Sequence, residues 1–527
     1  MKRSFLLILT LLGIALLACS NQSEEKPRVG NPVSRVTVDS LGSKLARFKV
    51  ELVNADKAWL LAKTGRADTP SASALKEEGH SFPAGMAVYD NLEPDTEYTL
   101  FFCAEGDRLG SVDKLTFKTL SGELYSWEKD RTGVPFFADL ALLYGGLYSR
   151  KPAVWDEDRL KAFVTWTDPE TGQEKWLFDA FLALEMRYGY PPHTYVLGLK
   201  DWEDNSLGMI AANQADASAF LDYWFTPGTG FPALDKLVGE AIGRIGPPVA
   251  SIKVIVMMPD ISVHERYNVP SSSTTYWGKV GGRQLDFSNA EDRRQAYYWY
   301  VDETRRRFSE AGFENIELGG FYIMSEELAS WRSGVGGNGG DKIDGTQYDG
   351  WEVAAKAWDD VFPAVSDYIH QFNESVCWIP YRNAPGYRYW SEFGIDYAWM
   401  QPNYYWDTFG VNPISTFFPK IATYNLAMEL EFDDLMMQKP VDRTASEYTK
   451  ERGGVTKTET FQDYAKRWRA YLDGAKSAMV YGNKQLALYQ DTDSFNHLRK
   501  SSSIADKDAF NTLCKMIAED PLKANNK

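Results

Sequence analysis

The chain has 527 residues, enough for two or three folding units with a sizeable core. Its formal net charge of -16 argues against nucleic acid or an anionic membrane surface as a partner. Four scattered cysteines, Cys19, Cys103, Cys377 and Cys514, indicate neither a disulfide framework nor a CxxC metal site. The 17 Trp and 29 Tyr serve a core in part, and they also form the flat, polar-edged platforms that stack on sugar rings.

Lys2-Arg3 followed by an apolar run from Phe5 to Leu17 reads as a charged n-region and an h-region too short to span a bilayer. Leu16-Leu17-Ala18-Cys19 resembles a bacterial lipobox, which implies a signal peptide over 1–18 and a lipid on Cys19. Residues 19–28 then form a polar tether, and Ser23-Glu24-Glu25 resembles the acidic signal that sends Bacteroidetes lipoproteins to the outer face of the cell. The resemblance implies an outer-membrane lipoprotein exposed at the cell surface, with the periplasmic face as the alternative.

From 29 to 120 the chain alternates short apolar runs with turn signals at sandwich spacing, as in Val36-Thr37-Val38, Ala58-Trp59-Leu60-Leu61 and Tyr98-Thr99-Leu100-Phe101-Phe102. Leu92-Glu93-Pro94-Asp95-Thr96-Glu97-Tyr98 resembles the tyrosine corner of fibronectin type III domains. This predicts a small all-β immunoglobulin/fibronectin type III-like sandwich that acts as a spacer, since no cluster of exposed aromatics marks it as a sugar binder. Residues 121–136 read as a linker.

Over 137–527 eight apolar runs alternate with helix-period stretches. The runs are Asp139 to Tyr144, Trp176 to Leu184, Val254 to Met258, Gly320 to Met324, Val376 to Pro380, Tyr397 to Pro402, Leu426 to Phe432 and Gln485 to Gln490. Helical patterns cover Ala215 to Phe225, Ala290 to Ala311, Val353 to Phe372 and Thr460 to Val480. Continuous apolar runs suit strands buried on both faces. Eight strand-helix alternations predict an α/β fold of the (β/α)8 TIM-barrel type. A doubly wound open sheet is the alternative, but no GxGxxG follows the first strand.

Barrel enzymes carry their chemistry at the C-terminal ends of the strands. There the fourth run stops at Glu326-Glu327 and the fifth continues into Tyr381-Arg382-Asn383. The sixth continues into Gln401-Pro402-Asn403-Tyr404-Tyr405-Trp406, the seventh carries Glu429 and Glu431, and the eighth ends in Gln490-Asp491. Asp260 ends the third, the second bears Asp179, and Tyr144 closes the first. Paired carboxylates beside Arg, Asn, Gln and Tyr suit a hydroxyl-rich ligand, a carbohydrate, with Trp399 or Trp406 placed to stack beneath a ring. Leu426, Met428 and Leu430 alternate with the two glutamates, so Glu429 and Glu431 share one side of the strand. Either is a candidate partner for Glu326, the expected general acid, whose pKa a mouth lined by Trp and Tyr would raise.

The segment from Phe137 onward resembles the domain of unknown function 4855 family of secreted bacterial proteins, a glycoside-hydrolase-like barrel. Asp139-Leu140-Ala141-Leu142-Leu143-Tyr144-Gly145-Gly146, Gly320-Phe321-Tyr322-Ile323-Met324-Ser325-Glu326-Glu327 and Trp399-Met400-Gln401-Pro402-Asn403-Tyr404 carry the likeness. The strand-four and strand-seven carboxylates also resemble the layout of the large retaining-glycosidase clan, with Ser325 standing where that clan has Asn. The resemblance implies a retaining, two-glutamate glycoside hydrolase.

No HExxH spacing occurs among the five histidines, and no GxSxG elbow is present. The glycine-rich stretch 334–340 lacks the Lys-Ser/Thr of a phosphate loop and reads as a candidate lid. No cofactor or metal is expected. The expected partners are a carbohydrate, the membrane through Cys19, and other glycan-utilisation proteins of the surface. A non-catalytic glycan-binding lipoprotein that keeps the barrel cleft is the second reading.

Overall fold

The computed structural model describes residues 30–41, 46–89, 92–93, 95–119, 134–147, 152–185, 193–197, 210–259, 275–287, 289–326, 328, 351–384, 386–388, 390–440 and 447–524. The signal peptide, Cys19, the tether, linker residues 121–133, Asp260, Glu327 and the glycine-rich stretch lie outside the described residues. The chain divides into two compact units, the first comprising Met1–Val38, Phe48–Ala87 and Glu97–Phe117, the second Asp39–Arg47, Val88–Thr96 and Lys118–Lys527. No helix among the described residues is long and apolar enough to cross a membrane.

The N-terminal part contains two small sheets. One joins Val33–Leu41, Ala46–Val53 and Gly85–Tyr89; the other joins His80–Phe82, Lys57–Thr64, Glu97–Glu105 and Asp113–Lys118. Phe48 from the first sheet meets Phe117 from the second edge-on, with ring centroids 5.2 Å apart, and Tyr98 stacks on Phe117 at 5.5 Å. The period-2 pattern located the longer strands. It did not anticipate the strand His80–Phe82 or the short helix Ala72–Glu78, whose first turn is capped by the Ser71 hydroxyl.

In the second unit eight parallel strands close on themselves. They are Asp139–Leu147, Ala180–Glu185, Ile252–Met258, Ile316–Ile323, Ser375–Trp378, Tyr397–Met400, Ala427–Glu431 and Leu486–Tyr489, numbered one to eight below. Strand eight pairs with strand one, which pairs with strand two, so the sheet has no open edge and the doubly wound alternative falls. This is a TIM barrel, with helices such as Gln214–Trp224, Ala290–Ala311, Trp351–His370 and Phe461–Ser477 between strands. The second run required correction. Glu174–Trp176 forms a hairpin with Thr165–Thr167, and the barrel strand starts only at Ala180.

Register shows which side chains fill the barrel, because partners in parallel strands point to the same face. One face runs through Leu142, Leu182, Ile255, Gly320 and Ser375, then Cys377 and Tyr397, Trp399 and Ala427, and Glu429, Ala487 and Leu140. In the lower interior, near the strand starts, Phe137, Tyr397 and Trp399 pack ring on ring at 4.8 to 5.9 Å.

Strand four carries one extra residue against strand three, between Leu318 and Gly320, and the extra residue bends the strand. A Cβ on Gly320 would fall 2.1 Å from the carbonyl oxygen of Ser375 on strand five. Gly320→Ala therefore forces two barrel strands apart. We expect it to cost roughly 1–3 kcal/mol or more, read as a lowered denaturation midpoint, while Gly172→Ala, in an open turn with nothing within 4 Å, is the control for a change of glycine alone.

Candidate active site

Strand seven is hydrogen-bonded to strands six and eight, so its glutamates are not edge residues in water. Glu429 and Glu431 are 2% and 1% exposed and face the interior beside Ala487 and Tyr489. Two carboxylates removed from water need donors or a proton. Glu431 has donors. The Tyr471 hydroxyl donates to its Oε2 at 2.5 Å and the Asn403 N–H to its Oε1 at 3.1 Å. Asn403 holds a left-handed backbone, φ 53°, that aims this N–H; asparagine adopts that conformation more readily than most residues.

The two glutamates differ in ionisation. Burial, then the charges of Glu431 and Glu326, push Glu429 well above the usual carboxylate range. Burial also pushes Glu431 up, to about 8, with the Tyr471 hydroxyl, the Asn403 N–H and the Arg382 charge acting against that rise. The Tyr471 and Asn403 donors favour the charged form of Glu431, while burial and two neighbouring carboxylates hold Glu429, one pleat deeper, toward its protonated form.

Glu326 lies three residues beyond strand four. Trp378 on strand five donates its indole N–H to the Ser325 carbonyl at 2.7 Å, which anchors the chain just before it. Gln401 donates its Nε2 to Glu326 Oε1 at 2.7 Å. Glu326 is exposed, in contrast to the expected desolvation. Its charge nevertheless reaches inward and acts on Glu429, Glu431, Tyr322 and Tyr144. Carboxylates from strands four and seven therefore share one mouth.

Of the residues singled out for substrate contact, Tyr144, Gln401, Asn403 and Trp406 lie at this mouth or on the loop beside it. Tyr144 meets Tyr489 edge-on at 5.7 Å, and Trp406 meets the same tyrosine at 5.7 Å. Asp491 follows strand eight, partly buried, in a left-handed conformation. Others are placed differently. Asp179 precedes strand two and accepts the N–H groups of Ala138 and Asp139, each at 2.8 Å, so it sits at the opposite, N-terminal end of the barrel. Trp399 is stacked in the lower interior, 0% exposed, with no face left for a sugar. Tyr405 is likewise fully buried, its hydroxyl directed to the Asp433 carbonyl and carboxylate. The buried Arg382 guanidinium donates to the carbonyls of Pro402, Asn412 and Pro413 and to the Thr416 hydroxyl, which makes it a strut for the loop after strand six. Asp260 lies outside the described residues.

Three tyrosines were not anticipated. Tyr322 points inward on strand four, two pleats below Glu326, a position that alternation alone would have exposed. Tyr489 lies opposite Glu431 in register. Tyr471 belongs to helix Phe461–Ser477, and no local pattern links it to a residue 40 positions earlier. Burial first, and neighbouring carboxylates after it, push the Tyr322 and Tyr471 hydroxyls well above their ordinary range, so both stay protonated donors. Among the described residues no three His, Cys, Asp or Glu side chains converge as a metal site would require.

No curated protein matches the chain. Among solved structures it is similar to a Bacteroides uniformis beta-glucuronidase 2 covalently bound to cyclophellitol-6-carboxylate aziridine, at 9% identity and a TM-score of 0.32. That likeness covers 88% of this chain and 45% of that one. It is also similar to the fn3 domain of the human collagen alpha-1(XX) chain, with 14% identity, 19% of this chain, 93% of that one and a TM-score of 0.15. The FN5 domain of Drosophila Lar is alike at 18% identity, 18% of this chain, 97% of that one and a TM-score of 0.14. A protein-family model matches residues 139–333 and 352–515, which span strand one through the last long helix, and the chain belongs to the family described as Domain of unknown function (DUF4855).

Proposed function

We propose that the barrel is a glycoside hydrolase with Glu326 as general acid and Glu431 as its partner carboxylate. Its support is the convergence at one barrel mouth of an exposed carboxyl on strand four and a buried, doubly hydrogen-bonded carboxylate on strand seven. In the retaining form Glu431 attacks the anomeric carbon while Glu326 gives its proton to the departing oxygen. Glu326 then takes a proton from the water that cleaves the glycosyl ester. Glu429, held toward its protonated form, leaves Glu431 as the one of the pair to carry the negative charge beneath the sugar, which it takes on as pH rises toward about 8. Tyr144 and Tyr322 supply hydroxyls around that charge. In this reading residues 29–120 are a fibronectin type III-like spacer, and lipidated Cys19 holds the protein at the outer-membrane surface. The sugar and the linkage are to be found by screening plant, host and microbial polysaccharides for reducing-end release. Binding without product would favour the glycan-binding alternative.

Three outcomes test the assignment. Glu326→Gln should lower hydrolysis of a natural glycoside by about 10²–10⁴-fold and spare a substrate whose leaving group needs no protonation; equal loss on both would remove Glu326 from the role. Glu431→Gly should lose turnover and regain it with azide, giving a product of inverted anomeric configuration, whereas rescue confined to Glu429→Gly would exchange the two glutamates. Loss of the Tyr471 donor disfavours the Glu431 carboxylate. In Tyr471→Phe the rise of kcat/KM with pH should therefore move upward by about one to two pH units, the worth of one charged hydrogen bond. An unmoved acidic limb would mean that another group titrates there.

A further inference from the structure

A cleft of about 550 Å³ opens beside this site, lined by Tyr381, Arg382, Asn383, Asn403, residues of the loop after strand six including Trp406 and Asp407, and Arg452. Its volume is that of a small-ligand site. It also adjoins the chemistry, because Asn403 lines the cleft and gives its N–H to Glu431 at 3.1 Å.

The cleft is edged by charge of the sign that the chain as a whole lacks, its net being -16. Arg452 ends the first strand of a hairpin, Glu447–Arg452 with Val455–Thr460, turned by Gly453 and Gly454, both with positive φ. Cross-strand partners share a face, so the pairs Lys450↔Lys457 and Arg452↔Val455 put three cations on one face together with Tyr448 and Glu459, whose carboxylate is held by Arg467, while Glu451 and Thr456 lie on the other. That face lies over the loop after strand six: Lys450 Nζ reaches the Trp406 carbonyl at 3.3 Å and Lys457 Nζ the Thr408 carbonyl at 3.1 Å. Like charges placed directly opposite destabilise a hairpin, and a bound anion would relieve that repulsion. The lining carboxylate, Asp407, has one oxygen on the Val411 N–H and the other on the Asn412 N–H, both at 2.7 Å. Arg452 is exposed and forms no ion pair among the described residues. Trp406, partly buried, adds an aromatic surface to the same cleft.

We infer that this cleft is a subsite for an anionic sugar, and that the chain acts on an acidic glycan. Arg452 takes the carboxylate of a uronic acid or a sulfate ester, within the positive field of Lys450 and Lys457. The inference rests on the glycosidase reading for the turnover of that glycan, but the subsite itself is read by binding.

The purified full chain is to be run in affinity gels against acidic polysaccharides, each paired with its own charge-free form: carboxyl-reduced for uronates, desulfated for sulfate esters. We expect retention by the charged member of a pair. It should weaken about tenfold in Arg452→Gln, the scale of one hydrogen bond to a charged group, less in Arg452→Lys, and fall with added salt. The pair that discriminates identifies carboxylate or sulfate. Equal retention by charged and charge-free members, retention by neutral glycans alone, no retention by any pair, or indifference to Arg452→Gln would each overturn the subsite. Charge-dependent, Arg452-dependent retention without release of reducing ends would keep the subsite and remove the glycosidase reading. Hydrolysis of neutral glycans untouched by Arg452→Gln would do the reverse.

Discussion

The Tyr471 hydroxyl is the point on which the barrel mouth depends. Its oxygen accepts the N–H of Tyr404 at 3.0 Å and of Tyr405 at 2.6 Å, and its one proton goes to Glu431 at 2.5 Å. With both accepting positions filled by N–H groups that cannot turn, the proton has one direction left. A single phenol thereby shapes the loop after strand six, orients the strand-seven carboxylate and favours that carboxylate's charged form. Without such donors burial favours the protonated form of a carboxylate, the direction in which Glu429 two residues below is pushed.

Around this point the mouth is braced by buried polar groups more than by apolar contact. Arg467, on the same helix as Tyr471, gives its Nε to the Tyr405 carbonyl at 2.6 Å and its two terminal nitrogens to Glu459, which also accepts the Thr408 hydroxyl. Asp433 gathers the Tyr405 hydroxyl, the Trp406 indole and the Leu435 N–H. Buried ion pairs of this kind add little net stability, since desolvation offsets the attraction, but each admits few geometries. They suit a place where loops must hold side chains steady against a ligand.

The opposite end of the barrel is built on other terms. Phe137, Tyr397 and Trp399 fill the interior. Asp179 ties down the start of strand one, and Lys523 from the short C-terminal helix reaches Asp139 at 2.8 Å. Burial pushes Asp139 up to about 8, with Lys523 acting against it. One end of the barrel is thus plugged with rings and held by a buried ion pair, and the other carries carboxylates and hydroxyls, the end at which this fold usually places its chemistry.

By itself the sequence located the eight barrel strands of the second unit and four of its helices, because both depend on local periodicity: apolar runs for strands buried on two faces, and a 3.6-residue pattern that placed helix Ala290–Ala311 to the residue. Alternation likewise put Glu429 and Glu431 on one side of strand seven. Composition and alternation carry no information about which end of the barrel a polar residue occupies, or what lies across its interior. Asp179 and Trp399 have the residue types of a sugar site, yet one sits before its strand and the other points into the lower plug. Arg382 has the donors for a ring hydroxyl, and main-chain carbonyls some 20 to 31 residues away take them. Only closure of the sheet, which brings strand eight back to strand one and helix Phe461–Ser477 against the mouth, decided that Tyr471 meets Glu431 and so which of two identical glutamates receives a donor for its charged form.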